Sequence, residues 1–253
     1  MIRPRVIPTL LLQGQGLVKT VKFKDPTYLG DPINIVRIFN DKEVDELVFL
    51  DIIATKEDRP PSFEMLTNIT SECFMPLAYG GGIRSMGDVE KLLGIGIEKV
   101  ILNTSAVENP ALVRSVADYA GSSSVVISMD VKKNFLGKYE TYTRSGKKNT
   151  GLDPVRHAVE MEKQGAGELF VNSIDRDGTM QGYDLDLIRR VADAVSIPVV
   201  ACGGAGKLQD LADAINIGGA SAAAAGSLFV FQGPLRGVLI SYPSQDDLKR
   251  ILP

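Results

Sequence analysis

Residues 76–96 read PLAYGGGIRSMGDVEKLLGIG, and residues 198–218 read PVVACGGAGKLQDLADAINIG. Each is a short apolar run, then a glycine-rich loop, then a helical stretch. Pro76 matches Pro198, Gly81 matches Gly203 and Asp88 matches Asp210, always at an offset of 122. The same offset relates DELVFLDIIAT from Asp45 to GELFVNSIDRDGT from Gly167, with Glu46 matching Glu168. A constant offset over four elements marks two fused half-units. It predicts paired sites about a pseudo-twofold axis.

Six further apolar runs share this layout. With Met75–Tyr79 and Ile197–Ala201 they are Val6–Leu12, Glu46–Ile53, Lys99–Leu102, Val125–Asp130, Glu168–Asn172 and Ala220–Ala225. Helical patterning lies between them, at Asp31–Lys42, Ser62–Cys73, Asp88–Leu93, Asn109–Tyr119, Asp153–Gln164, Leu185–Ala194 and Leu208–Ile215. Continuous apolar runs that alternate with helices are parallel strands covered on both faces. Eight such units favour a closed α/β barrel, the (βα)8 TIM barrel, over an open doubly wound sheet. A chain of 253 residues suits one barrel domain over 1–253. Gly14–Gly30 is long and polar for a connection and reads as a mobile active-site loop. Gly233–Pro253 reads as a final helix and a short tail with no assigned function.

Hydrophobic residues make up 44% of the chain, enough for a full core. The formal net charge is −3 with scattered lysines and arginines, which argues against nucleic acid or an acidic membrane as partner. No apolar stretch reaches membrane-spanning length, and MIRPRVIPTLLL is too short for a signal peptide. The expected compartment is the cytoplasm. Cys73 and Cys202 are too few for a disulfide framework and read as reduced and at least partly buried. One histidine and two distant thiols do not make a zinc site, so no metal or cofactor is expected. His157 falls in a helical stretch and reads as outward-facing.

In this fold ligands bind where the strands end. Those positions hold Leu11, Asp51, Gly80–Gly82, Asn103, Thr104, Asp130, Asp175–Gly178, Gly203–Gly206, Gly226 and Ser227. The glycine runs at 80–82 and 203–206 permit positive φ and close approach of backbone N–H groups to phosphate oxygens. One such run is as well explained by a tight turn. Two at equivalent repeat positions favour a ligand with a phosphate at each end. Asn103, Thr104, Gly226 and Ser227 add amide and hydroxyl donors. Asp130 is either a general acid or base, its pKa raised by burial, or a carboxylate bonded to Lys132 or a nearby loop. Asp51 and Asp177 are weaker candidates, and Asp177-Gly178 also reads as a turn. At the opposite mouth Arg5, Glu46, Lys99 and Glu168 each start an apolar run. On the residues alone, charges facing water explain them more simply than a ring of ion pairs.

Together these residues resemble the cyclase subunit of imidazole glycerol phosphate synthase, the HisF-like family. The resemblance covers nearly the whole chain. Its stretches are GDPI at Gly30, DELVFLDI at Asp45, GGGIR at Gly80, NTSAVENP at Asn103, SGKKNTG at Ser145, SIDRDGT at Ser173, GYD at Gly182 and GGAGK at Gly203. The resemblance implies lyase and cyclase chemistry on a phosphorylated nucleotide, fed by ammonia from a glutaminase subunit docked on the N-terminal face. It implies that Arg5, Glu46, Lys99 and Glu168 form an ammonia gate, and that Glu98 faces the glutaminase. Lys19 matches a substrate-contacting lysine. Gly82, Asn103 and Thr104 match one phosphate site, and Gly178, Gly204, Gly226 and Ser227 match the other. Asp130 matches one catalytic aspartate.

The first strand departs from the family. Where the family has a Cys-Leu-Asp pattern ending in a second catalytic aspartate, this chain reads Thr9-Leu10-Leu11. Leucine transfers no proton, and one positioned acid–base group is worth roughly a hundred- to ten-thousand-fold in rate. Asn172 in place of threonine and Ser221 in place of aspartate are smaller departures. RPRVIP followed by leucines, and LVKTVKF at Leu17–Phe23, resemble a paralogous branch associated with surface-polysaccharide glycosyl amidation. That resemblance implies ammonia passed through the barrel to an ATP-dependent amidotransferase that converts an N-acetyl sugar to its acetamidino form. A true histidine-pathway cyclase, with Asp51 or Asp177 replacing the lost carboxylate, is the alternative. A non-catalytic phosphate-binding scaffold is the third reading.

Overall fold

The computed structural model describes residues 4–252. Eight strands pair side by side, all parallel: β1 (Arg5–Gln13), β2 (Leu47–Asp51), β3 (Leu77–Gly80), β4 (Lys99–Leu102), β5 (Val125–Lys133), β6 (Glu168–Ser173), β7 (Val199–Cys202) and β8 (Ala222–Ala225). β8 returns to β1 with Arg5 opposite Ala222 and Ile7 opposite Ala224, so the sheet closes on itself. This is the expected (βα)8 barrel.

The intervening helices are α1 (Pro32–Asp41), α2 (Phe63–Glu72), α3 (Met86–Gly94), α4 (Pro110–Ala120), α5 (Pro154–Lys163), α6 (Leu185–Ala192) and α7 (Leu208–Asn216), with α8 (Gln245–Ile251) near the end. Side-chain caps set several starts. Asp31 and Asp153 accept from the N–H groups of Asn34 and Arg156, each followed by a proline at the first helical position. Asp88 and Asp210 bind backbone N–H groups at the starts of α3 and α7. These pairs keep the 122-residue offset, as do Leu77 with Val199 and Met86 with Leu208.

Strand alternation divides the core in two. Val6, Leu10 and Leu12 of β1 face the helices, with Phe39, Phe49 and Leu66. Ile7 faces the barrel interior with Val48, Ala78, Ile101, Val126, Phe170, Val200, Ala222 and Ala224. Leu187, Ile188 and Val191 of α6 show the matching helical spacing, all buried.

Three expectations need correction. Gly14–Gly30, expected as an active-site loop, lines the cleft through Lys19, Thr20 and Phe23 but has regular structure. It is a β-hairpin, Gly16–Val21 with Lys24–Gly30, laid antiparallel on the end of β1 with Leu11 opposite Val18. Leu17 and Val18 are buried in it, which ties the segment to the barrel. His157 does not face outward. With Pro154, Ala158 and Met161 it forms the inner face of α5, and burial lowers its pKa. The tail holds more than a helix: Phe231–Gln232 pairs with Gly237–Val238 before α8.

The glycine loops are sterically fixed. Gly204 has φ +122°, and a Cβ there would lie 2.2 Å from the Gly182 carbonyl oxygen. Gly204→Ala should destabilise by roughly 1–3 kcal/mol or more in urea unfolding. Gly94→Ala, where a Cβ meets nothing within 4 Å, should be neutral or stabilising. Equal effects of the two substitutions would contradict this account of the loops.

Candidate functional site at the two mouths of the barrel

All eight strand ends contribute to one cleft at the C-terminal mouth, including Leu11, Leu50, Gly80, Asn103, Asp130, Asn172, Cys202 and Gly226. At one end lie Gly82, Asn103 and Thr104. At the other lie Gly178, Gly204, Gly226 and Ser227. The structure thus brings both proposed anion ends into a single cleft. Asn103 Nδ2 donates to the Ser128 carbonyl at 3.0 Å, and Thr104 Oγ1 accepts from the Arg144 N–H at 3.0 Å. Ser145, from the SGKKNTG stretch, also lines the cleft and donates to the Ile52 carbonyl at 2.8 Å.

Asp130 sits at the inner wall of this cleft and is 8% exposed. It is not bonded to Lys132. It accepts from Asn172 Nδ2 at 3.2 Å and more distantly from Asn103 Nδ2 at 3.4 Å. Burial pushes its carboxyl up to about 7; the Asn172 hydrogen bond opposes this, and the nearby Asp177 charge adds to it. That value lets it hold or release a proton near neutrality. Asn172 Oδ1 and Thr9 Oγ1, both on the cleft wall, are buried without a hydrogen-bond partner.

The other two carboxylates are committed elsewhere. Asp51 accepts from Arg59 at 2.8 Å and from the N–H groups of Ile53 and Ala54. It holds its own loop. Asp177 is 2.7 Å from Lys19 Nζ and accepts from Thr20 Oγ1 at 3.2 Å. Lys19 is therefore buried in the hairpin, its stem near Gly226, rather than carried on a free loop. Neither Asp51 nor Asp177 is hydrogen-bonded to Asp130. Leu11 occupies the cleft wall at the end of β1.

At the N-terminal mouth the four strand-start charges do not face water separately. Arg5 pairs with Glu46 and with Glu168. Lys99 Nζ lies 2.9 Å from Glu46 and 3.0 Å from Glu168. Two cations and two buried carboxylates thus close a ring, which overturns the simpler reading of the residues alone. Above the ring comes the apolar interior, then the cleft. Glu98 is exposed on this lower face beside the surface-lying Phe74, in a hollow with Cys73 and Met75. Among the described residues no group of three or more His, Cys, Asp or Glu is placed to hold a metal, and no helix is long and apolar enough to cross a membrane.

Arg59 and Arg236, which bind residues of the cleft wall, were not legible from the sequence. Arg59 lies eight residues past Asp51, in a loop without a strand or glycine signal. Arg236 lies in the tail and reaches back to the cleft.

This geometry defines a (βα)8-barrel protein with its ligand cleft at the strand C-termini. Comparison with known proteins narrows the class. Residues 5–235 match the family described as "Histidine biosynthesis protein". A Pseudomonas aeruginosa protein provisionally named imidazole glycerol phosphate synthase subunit hisF2 is 50% identical over 98% of this chain and 99% of its own. A Leptospira interrogans protein, provisionally named subunit HisF of the same synthase, is 47% identical over 98% of each chain. Imidazole glycerol phosphate synthase subunit HisF of Alkaliphilus metalliredigens is 46% identical over 90% of this chain and 91% of its own. The chain belongs to the HisF-like family of imidazole glycerol phosphate synthase subunits.

The raised Asp130 pKa has a stability consequence. Below about pH 4 folded and unfolded chains both hold its proton. As pH rises toward 7 the unfolded chain releases it first, so stability is lost across that window. Asp130→Asn removes this loss. In urea unfolding the variant should gain on the native chain by up to about 1.4 kcal/mol per pH unit between about 4 and 7, then level off. A difference independent of pH would show that burial does not hold Asp130 protonated.

Proposed function

We propose that this barrel conducts ammonia for a glutamine amidotransferase system and no longer performs the family's cyclisation efficiently. A glutaminase subunit docks on the N-terminal face around Glu98 and Phe74. Ammonia passes the ring of Arg5, Glu46, Lys99 and Glu168, which opens by parting its ion pairs. It then crosses the apolar interior between Ile7, Ala78 and Ala222 and reaches the cleft as the neutral molecule. Apolar walls favour the uncharged form, because burying an unpaired ammonium is costly.

The observation that carries this reading is Leu11. It stands on the cleft wall where a second acid–base group is needed, while Asp51 is held by Arg59 and Asp177 by Lys19. Asp130 is left as a single proton carrier. Ammonia that is delivered but not consumed here passes to an ATP-dependent amidotransferase at the C-terminal mouth. That enzyme converts an N-acetyl sugar to its acetamidino form in surface-polysaccharide synthesis. The two anion ends, Gly82, Asn103 and Thr104 on one side and Gly178, Gly204, Gly226 and Ser227 on the other, hold a phosphorylated ligand.

One observation favours a second reading, the true cyclase of histidine biosynthesis. The charge of Asp177 adds to the rise in the Asp130 pKa, so a second carboxylate influences the position proposed as catalytic.

Cyclisation of the bis-phosphorylated nucleotide substrate, with saturating ammonium and no glutaminase, separates the two. The native barrel should be at least about a hundredfold slower than Leu11→Asp, in line with restoring one acid–base group. Native turnover equal to or above that of the variant would overturn the ammonia-conduit reading and support the cyclase.

A further inference from the structure

We propose that Arg236 is an additional anion ligand at the cleft, supplying the side-chain cation of the Gly178–Ser227 end, and that its ligand is a phosphate monoester. This inference rests on the phosphate reading given above and assigns it a residue outside the barrel loops.

Arg236 closes the turn between Phe231–Gln232 and Gly237–Val238. Its φ is +53°, in the left-handed region, and its N–H donates to the Gly233 carbonyl at 3.1 Å. The turn aims the guanidinium back at the barrel. Nη1 donates to the Gly178 carbonyl at 2.9 Å and Nη2 to Ser227 Oγ at 3.3 Å. The Phe231 ring lies 4.6 Å from the guanidinium carbon and steadies the group.

Three features point to an anion rather than to a simple tether. First, no carboxylate pairs with Arg236 among the described residues, whereas Lys19 at the same end is already neutralised by Asp177. Its two partners are neutral acceptors that themselves line the cleft, so its charge stays uncompensated behind that wall. Second, a guanidinium carries five N–H donors, and only two of its nitrogens are engaged here. The remainder suit the paired oxygens of a phosphate. Third, Ser227 is 4% exposed and its oxygen accepts from Arg236, which frees its own O–H to donate into the cleft. The guanidinium thus offers charge and also orients a hydroxyl donor.

The test is a titration of the full chain with inorganic phosphate, followed through the backbone amides by nitrogen-15 NMR. Gly178 and Ser227 report one end, and Gly82 and Thr104 the other. Arg236→Gln keeps an amide donor for the Gly178 carbonyl and removes the charge. It should weaken phosphate roughly ten- to a hundredfold at Gly178 and Ser227, and leave Gly82 and Thr104 unchanged. Arg236→Lys should retain part of the affinity. Unchanged affinity at Ser227 in Arg236→Gln, or equal weakening at both ends, would overturn the role of Arg236 while leaving the phosphate reading intact. Absence of binding at either end of the native chain would overturn both.

Discussion

The register that closes β1 on β8 is the constraint from which the functional geometry follows. With Arg5 level with Ala222, and Thr9 level with Val48 of β2, inward-facing positions of the strands stack in layers along one axis. A one-residue slip of β1 would turn Ile7 and Leu11 outward and bring Val6 and Leu10 into the interior. The charge at the lower mouth and the side chain on the upper wall would both be lost. A single strand therefore sets both ends of the account: Arg5 in the ring and Leu11 in the cleft.

Between those ends the environment changes in steps. The lower mouth carries balanced charge, with Glu46 and Glu168 almost fully buried and each paired to both Arg5 and Lys99. Ring carboxylates that lost a partner would be left as uncompensated buried charges. The middle is apolar and includes the short side chains of Ala78, Ala222 and Ala224. The upper mouth is polar again, with Asp130, Asn172, Asn103 and the glycine loops. The proposed ammonia path runs through these three zones.

Much of this was legible in the chain itself. Strand and helix order followed from apolar periodicity, and the half-barrel repeat from a fixed offset that the caps at Asp31 and Asp153 extend. The clustering of strand-end residues followed from the fold, since a parallel barrel brings every strand end to one rim. What was not legible depended on partners far apart in sequence. Nothing local says that Asp51 belongs to Arg59, that Lys19 belongs to Asp177, or that His157 turns inward. The hairpin after β1 was hidden because its polar residues, Lys19 and Thr20, are buried by pairing rather than by hydrophobicity. The ion-pair ring shows the same limit. Four isolated charges at four strand starts form a ring only when the barrel closes.

On the proposal made above, nitrogen enters below and leaves above without being consumed at Asp130. The most direct measurement supplies glutamine labelled with nitrogen-15 in its amide to the barrel, its glutaminase and the sugar amidotransferase, in a buffer rich in unlabelled ammonium. Conduction through this barrel predicts an acetamidino sugar enriched in label, and loss of that enrichment in Glu46→Ala, whose ring is broken. Product that carries the buffer's nitrogen in both native and variant complexes would contradict conduction through this barrel.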